Sequence, residues 1–196
     1  MTQIRMSKDE RREQLLQLAA DIVRAEGTDR LTLQTLADRA GVSKPITYNH
    51  FGDRKGLLQQ LYQDYDERLL LSMRAIDRAR LDSLDVCAKT FSQAYFDCTV
   101  RNGEVYDAVV AALSCYVDFT DLRTRIGLSF VAFYREFFGA LVALDGPAHT
   151  ARLMAIYGAS DELARALTAG VLNRTEATVA LTDMIILALE RKNQPS

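Results

Sequence analysis

Tryptophan is absent from this chain, and only 3 prolines and 10 glycines are spread over its 196 residues. So few turn-formers cannot serve a sandwich or barrel, whose many short strands each need one. Cysteine is scarce as well. Cys87, Cys98 and Cys115 are an odd set without short paired spacings, which reads as buried, inert thiols in a reducing cytoplasm rather than as a disulfide framework. The two histidines, His50 and His149, stand outside any metal-ligand pattern, so neither a metal nor a cofactor is expected. No apolar run reaches the roughly 18–20 residues of a bilayer span. The charged start, Met1 to Arg12, lacks the apolar stretch of a secretory leader. A cytoplasmic protein with no membrane partner is expected. Neither sign of charge dominates, since 24 Lys+Arg face 26 Asp+Glu for a net charge of −2.

What is present is helical periodicity. Hydrophobic residues make up 48% and charged residues 26%, ordinary usage for a globular chain able to bury a core. Leu15, Leu18, Ala19, Ile22 and Val23 recur at helical spacing and predict a first helix over about 8–26. Ser7 and Glu10 fit a capping box at its start, and Gly27 fits its stop. Thr32 is placed to cap a short second helix that ends at Gly41. Ser43 is placed to cap a third, with Pro45 in the first turn where its missing N–H does no harm. Asp53 is placed to cap a long fourth helix over about 54–80. The pattern stays helical over about 83–101, 104–116, 120–144, 147–170 and 174–192. Asn102-Gly103 supplies one of the breaks, and Asn173 with Glu176 a second capping box. The expected class is all-α with about nine helices.

Residues 1–60 carry ten basic and eight acidic side chains, so the amino-terminal third is slightly positive while the remainder is acidic. Distribution matters more than total charge for a nucleic-acid binder, and this asymmetry permits such a role. Within that third, Leu33 to Phe51 reads as a short helix, a glycine-centred turn and a second short helix. Leu33, Leu36 and Ala37 would brace the second helix, small Ala40 and Gly41 would let the axes approach, and Phe51 would pack into the core. Ser43, Lys44, Pro45, Ile46, Tyr48, Asn49 and His50 are left to face outward. Those donors, that cation and that apolar surface suit a major groove with its base edges and thymine methyls.

Thr32, Leu36-Ala37, Ala40-Gly41-Val42-Ser43, Tyr48-x-His50-Phe51, and a basic residue followed by Gly56-Leu57-Leu58 together resemble the DNA-binding domain of the tetracycline-repressor (TetR) family. The likeness covers about residues 10–62. It implies a domain over 1–52, with its helix-turn-helix at about 33–52, followed by a helical ligand-binding and dimerisation domain over 53–196. It implies a phosphate contact for Thr32, a base or phosphate contact for Gln34, and groove-facing positions for Ser43, Lys44, Pro45 and Ile46. Tyr48, His50 and Arg54 would hold phosphates, with Lys55 assisting and Asn49 beside them. One departure stands out. The family commonly places a small polar and then a large apolar residue before the tyrosine, whereas this chain has Ile46 and then Thr47. Either Ile46 reads a thymine methyl while Thr47 packs through its own methyl, or the helix is rotated slightly.

The carboxyl-terminal part is rich in aromatics. Tyr95, Cys98, Tyr106, Cys115, Tyr116, Phe130 and Tyr134 are the candidate lining of a cavity between the fourth and seventh helices, fit for an apolar or aromatic effector. Arg135 would pair with an anionic ligand, with Glu136 or with Asp118. Ala177 to Leu189 is apolar on more than one face, so a homodimer through about 147–192 is expected, with Asp at Ile185 splitting it. The resulting expectation is a transcription regulator, a repressor released from a palindromic operator in double-stranded DNA by a small molecule. The alternative is a helical enzyme or cofactor-binding bundle, which would need convergent titratable groups or ligand spacings that the sequence does not show. No enzyme activity is expected.

Overall fold

The computed structural model describes residues 6–190. Among them lie eight α-helices and no strand: α1 (Lys8–Glu26), α2 (Leu33–Ala40), α3 (Lys44–Phe51), α4 (Arg54–Arg74), α5 (Leu84–Ser114), α6 (Leu122–Phe138), α7 (Pro147–Thr168) and α8 (Arg174–Glu190). Single 3₁₀ turns stand at Thr28–Arg30, Arg78–Arg80 and Val117–Phe119. The all-α class read from the sequence is the one observed. No described helix is long and apolar enough to cross a membrane. The expected end of the last helix at residue 192 lies outside the described residues.

The chain forms two compact units. One runs to Glu67 and takes in Glu104–Thr120; the other holds Arg68–Gly103 and continues from Asp121. In compactness, then, the first turns of α4 and the last turns of α5 go with the first three helices. Both α4 and α5 are continuous from one unit into the other.

Two helices predicted over 83–101 and 104–116 are one. Asn102-Gly103 offers a break that α5 does not take: Gly103 has no positive φ, and Val105, Val109, Val110 and Leu113 carry the buried stripe straight on. The cost of a glycine inside a helix, about 1 kcal/mol, is outweighed by burying those four side chains. The long fourth helix instead stops at Arg74. Asp77 caps a 3₁₀ turn by accepting from the Ala79 N–H (3.1 Å), and Arg78 pairs with Glu136 (3.0 Å) while its guanidinium lies 5.6 Å over the Phe137 ring. Arg135 does not meet Asp118 or Glu136. Its guanidinium donates to the Leu144 carbonyl and the Thr150 hydroxyl, stapling the loop between α6 and α7.

The second unit is built around rings. Phe91 stacks on Tyr95 (centroids 5.9 Å apart) and meets Tyr134 and Phe137 edge-on (5.3 and 5.5 Å). Phe130 lies 5.9 Å from Tyr134 and stacks on Tyr157 at 5.2 Å. Tyr134 is fully buried, and among the described residues its hydroxyl has no hydrogen-bond partner. Burial pushes that phenol above its usual pKa, and the nearby Ser160 side chain acts the other way.

α8 packs on α7, and it buries Ala177, Leu181, Ile185 and Leu189, one residue per turn. Ile185, expected at a dimer interface, has no exposed surface in its own protomer. The outward stripe is offset from it: Val179 is 53% and Leu187 68% exposed.

The cysteines differ more than the sequence suggested. Cys87 is fully buried, Cys98 half-buried beside Ser72 and Cys115 exposed. Burial raises the Cys87 thiol to about 11, the Arg78 charge offsetting only part of it. Iodoacetamide at pH 8 is therefore expected to label Cys115 first, and Cys87 only in denaturant. Equal labelling of the two in the native protein would contradict the packing around Cys87.

Candidate nucleic-acid interface

The first unit assembles a reading surface from local signals. α1 buries Leu15, Leu16, Ala19, Ala20, Ile22 and Val23. The Ser7–Glu10 capping box closes its start, with both reciprocal bonds made (2.7 and 3.1 Å). α2 begins where the Thr32 hydroxyl accepts the Thr35 N–H at 3.0 Å, and it buries Leu33, Leu36 and Ala37. It ends at Gly41 in the left-handed region (φ 64°, ψ 32°), a conformation that a residue with a Cβ adopts only at a cost. There the Gly41 and Val42 N–H groups close on the last carbonyls of α2, and the chain turns into α3.

Two residues fix α3 from beneath. Phe51 is 4% exposed, and Thr47 is wholly buried with its hydroxyl 3.1 Å from the Leu33 carbonyl and 2.9 Å from the Lys44 carbonyl. That resolves the unusual order of Ile46 and Thr47. The threonine takes the inward position because α2 offers its hydroxyl a carbonyl there, and Ile46 is left half-buried at the edge. Lys44, Pro45, Tyr48 and Asn49 are exposed, Tyr48 by 52%. Ser43 occupies the N-cap position without making a side-chain capping bond. His50 is half-buried, and its protonation is disfavoured first by desolvation and then by the charges of Lys8, Arg11 and Arg12.

The remaining site candidates are engaged with protein groups. Gln34 donates to Asp38 (2.6 Å) one turn along α2. Arg54 is held at all three nitrogens, by the Leu31 carbonyl (3.0 Å), the Thr28 carbonyl (2.7 Å) and the Tyr116 hydroxyl (3.4 Å). Here it fastens the start of α4 to the segment before α2 and to the turn after α5, which differs from the outward phosphate contact implied by resemblance. Lys55 pairs with Asp118 at 2.9 Å; their mutual hydrogen bond raises the lysine pKa and lowers that of the aspartate.

Of the seven candidate effector residues, Tyr95, Cys98, Phe130 and Tyr134 fall in the second unit. Tyr106, Cys115 and Tyr116 fall in the first, where Tyr106 lies 6.0 Å from the Tyr62 ring. Sequence reasoning missed a relay across the first unit: Arg12 donates to Gln60 (2.8 Å), and Gln60 donates to the His50 carbonyl (2.9 Å). Nothing local could have signalled a pairing between residues so far apart in the chain. Thr47 did leave a signal, in its reversed order with Ile46.

Residues 15–61 match the sequence model for bacterial regulatory proteins of the tetR family. Over 153 residues the chain is 28% identical to the HTH-type transcriptional activator FasR of Mycolicibacterium smegmatis, covering 78% of this chain and 68% of that protein. Over 111 residues it is 26% identical to the HTH-type transcriptional repressor KstR2 of Rhodococcus jostii, covering 57% of this chain and 50% of that one. In fold it is similar to a tetR-family transcriptional regulator from Streptomyces coelicolor, with a TM-score of 0.75, 18% identity, and coverage of 93% of this chain and 82% of that one.

Proposed function

We propose that this chain, which belongs to the tetR family of bacterial regulatory proteins and is a DNA-binding transcription regulator, represses transcription as a homodimer released from its operator by a small apolar or aromatic molecule. In this reading residues 1–52 are the reading head and 53–196 carry the effector site and the dimer contact. The observation that carries it is the outer face of α3. Tyr48 lies half in solvent beside Lys44, Asn49 and His50, while Thr47 and Phe51 beneath lock the helix in one orientation. An exposed tyrosine alone is ordinary, but with a lysine, an asparagine and a histidine on one fixed helix face its hydroxyl joins a set of donors suited to a phosphate backbone.

α3 then enters the major groove, with Ser43, Lys44, Pro45, Ile46 and Asn49 toward base edges and the Tyr48 and His50 donors on phosphates. Thr32 adds a phosphate contact at the start of α2. Lys55 joins by exchanging Asp118 for a phosphate, and Gln34 by leaving Asp38. A second copy seated on Val179, Ile186 and Leu187 of α8 covers apolar surface otherwise left in water. The exposed small residues Ala148, Ala151, Ala155 and Gly158 of α7 give close approach for helix against helix. Two heads related by that twofold axis read half-sites about 34–36 Å apart on a palindromic duplex.

The effector is read into the aromatic set of the second unit, where Tyr95, Phe130 and Tyr134 gather and the unpartnered Tyr134 hydroxyl offers a polar handle. Because α4 and α5 run uninterrupted between the units, a change around those rings is carried by continuous backbone to the head. Effector and DNA must then weaken each other's binding by the same factor.

Tyr48→Ala and His50→Ala are each expected to weaken binding to a duplex bearing the region upstream of the protein's own coding sequence by about tenfold, about 1.4 kcal/mol, with thermal unfolding unchanged. Fluorescence anisotropy reads this directly. Wild-type affinity in both variants would remove α3 from the interface.

A further inference from the structure

We infer that Lys8, Arg11 and Arg12 on the first turns of α1 form, with His50, a second phosphate-binding patch that grips the duplex backbone beside the α3 contacts. This inference rests on the DNA-binding reading, in which His50 already meets phosphate, and extends it to Lys8, Arg11 and Arg12, which precede the matched segment beginning at residue 15.

Three observations place the patch. At 3.6 residues per turn, positions 8, 11, 12 and 15 share one face of α1, and the acids Asp9, Glu10 and Glu13 lie on the opposite one. Charge of the two signs is therefore sorted by face. Leu15 on the basic face is fully buried, so that face is the one α1 turns toward its neighbours in the head. The stripe that is leucine and alanine further along becomes lysine and arginine over these first turns.

The second observation is position. Arg12 reaches Gln60 at 2.8 Å and Gln60 reaches the His50 carbonyl at 2.9 Å, so the basic face stands two hydrogen bonds from the last turn of α3. The third is compensation. Arg11 donates to the Gln14 amide oxygen (2.7 Å) and Arg12 to the Gln60 amide oxygen, both neutral groups, so neither guanidinium charge is cancelled by its partner. The gathered charge is felt at His50, whose protonation it opposes. Like charges held together on a fold cost free energy, and a polyanion removes that cost by replacing condensed counterions. The patch consists of side chains, and at the α1 terminus itself the Ser7 and Glu10 N–H groups are taken up by the capping box.

Lys8 and Arg11 make the cleaner test, since Arg12 also fastens Gln60. For a duplex protein complex, the logarithm of affinity falls with the logarithm of salt by about 0.9 per phosphate neutralised. Titrating the full-length protein and its Lys8→Gln/Arg11→Gln variant with operator duplex across a KCl series should show the slope smaller by about 2 in the variant. The charge-preserving Lys8→Arg/Arg11→Lys variant should keep the wild-type slope. Equal slopes in the wild type and the glutamine variant, or loss of slope in the charge-preserving variant as well, would overturn the patch. If the wild type binds no duplex at low salt, the DNA-binding reading itself falls, whereas tight wild-type binding with unchanged slopes sinks only this inference.

Discussion

Ile185→Asp is expected to unfold the protein, whereas Leu187→Asp, two residues along the same helix, is expected to leave it folded and split the proposed homodimer. Ile185 is 0% exposed and lies in the buried row Ala177, Leu181, Ile185, Leu189 that seats α8 in its own unit. A carboxylate there would be buried in an apolar row, and burying a charge belongs to the changes that exceed about 4 kcal/mol. Against a total stability of about 5–15 kcal/mol, that loss is decisive. Leu187 is 68% exposed, so within one protomer its replacement removes almost no contact. Across a twofold contact it would set two like charges on an apolar patch. Circular dichroism and light scattering separate the outcomes: Ile185→Asp loses helicity, and Leu187→Asp keeps helicity at the mass of a monomer. A folded Ile185→Asp protein would refute the packing of α8, and a dimeric Leu187→Asp protein would refute the proposed contact surface.

Gly56→Ala should be destabilising even though alanine is the better helix former. In an unobstructed helix the exchange favours alanine by about 1 kcal/mol. A methyl carbon at Gly56, however, would stand 2.1 Å from the Phe51 carbonyl oxygen and 3.3 Å from its carbon, both backbone atoms. That oxygen also accepts the Asp53 N–H (2.9 Å), while Asp53 itself caps α4 through the Gly56 N–H (2.7 Å). Nothing flexible can move aside, so the tight turn between α3 and α4 must open. Overpacking of this kind costs about 1–3 kcal/mol, occasionally more. The melting temperature should fall by about 2–4 °C for each kcal/mol in a chain of this size. DNA affinity should fall with it, because the displaced segment is the last turn of α3. Gly103→Ala in α5 is the control. Its nearest neighbours would be 3.8 and 4.0 Å away, so there the helix preference should act alone and raise the melting temperature. A Gly56→Ala protein as stable as that control would show that the α3–α4 turn yields freely.

Much of the reading head was legible in advance. Ser7 with Glu10, Thr32, Gly41 and Asp53 act over three or four residues, and each does what its position suggested. Legibility failed where a glycine signal competed with burial further off. Asn102-Gly103 looked like a boundary, but the buried valines after it carried α5 through. Long charged side chains also show partners that no local signal announces. Arg54 meets the Thr28 and Leu31 carbonyls and the Tyr116 hydroxyl, and Lys55 meets Asp118, all of them partners set by packing.

By itself the sequence determined the helical class, the trihelical head and the outward chemistry of α3, because periodicity, caps and left-handed glycines act between neighbours in the chain. Only the tertiary structure decided which side of α8 is core, where Thr47 points, that Arg54 is a fastening rather than a free hand, and that the basic face of α1 stands beside His50. Those outcomes depend on which distant carbonyl, carboxylate or apolar wall comes within bonding distance. Such distances exist only after the helices have packed.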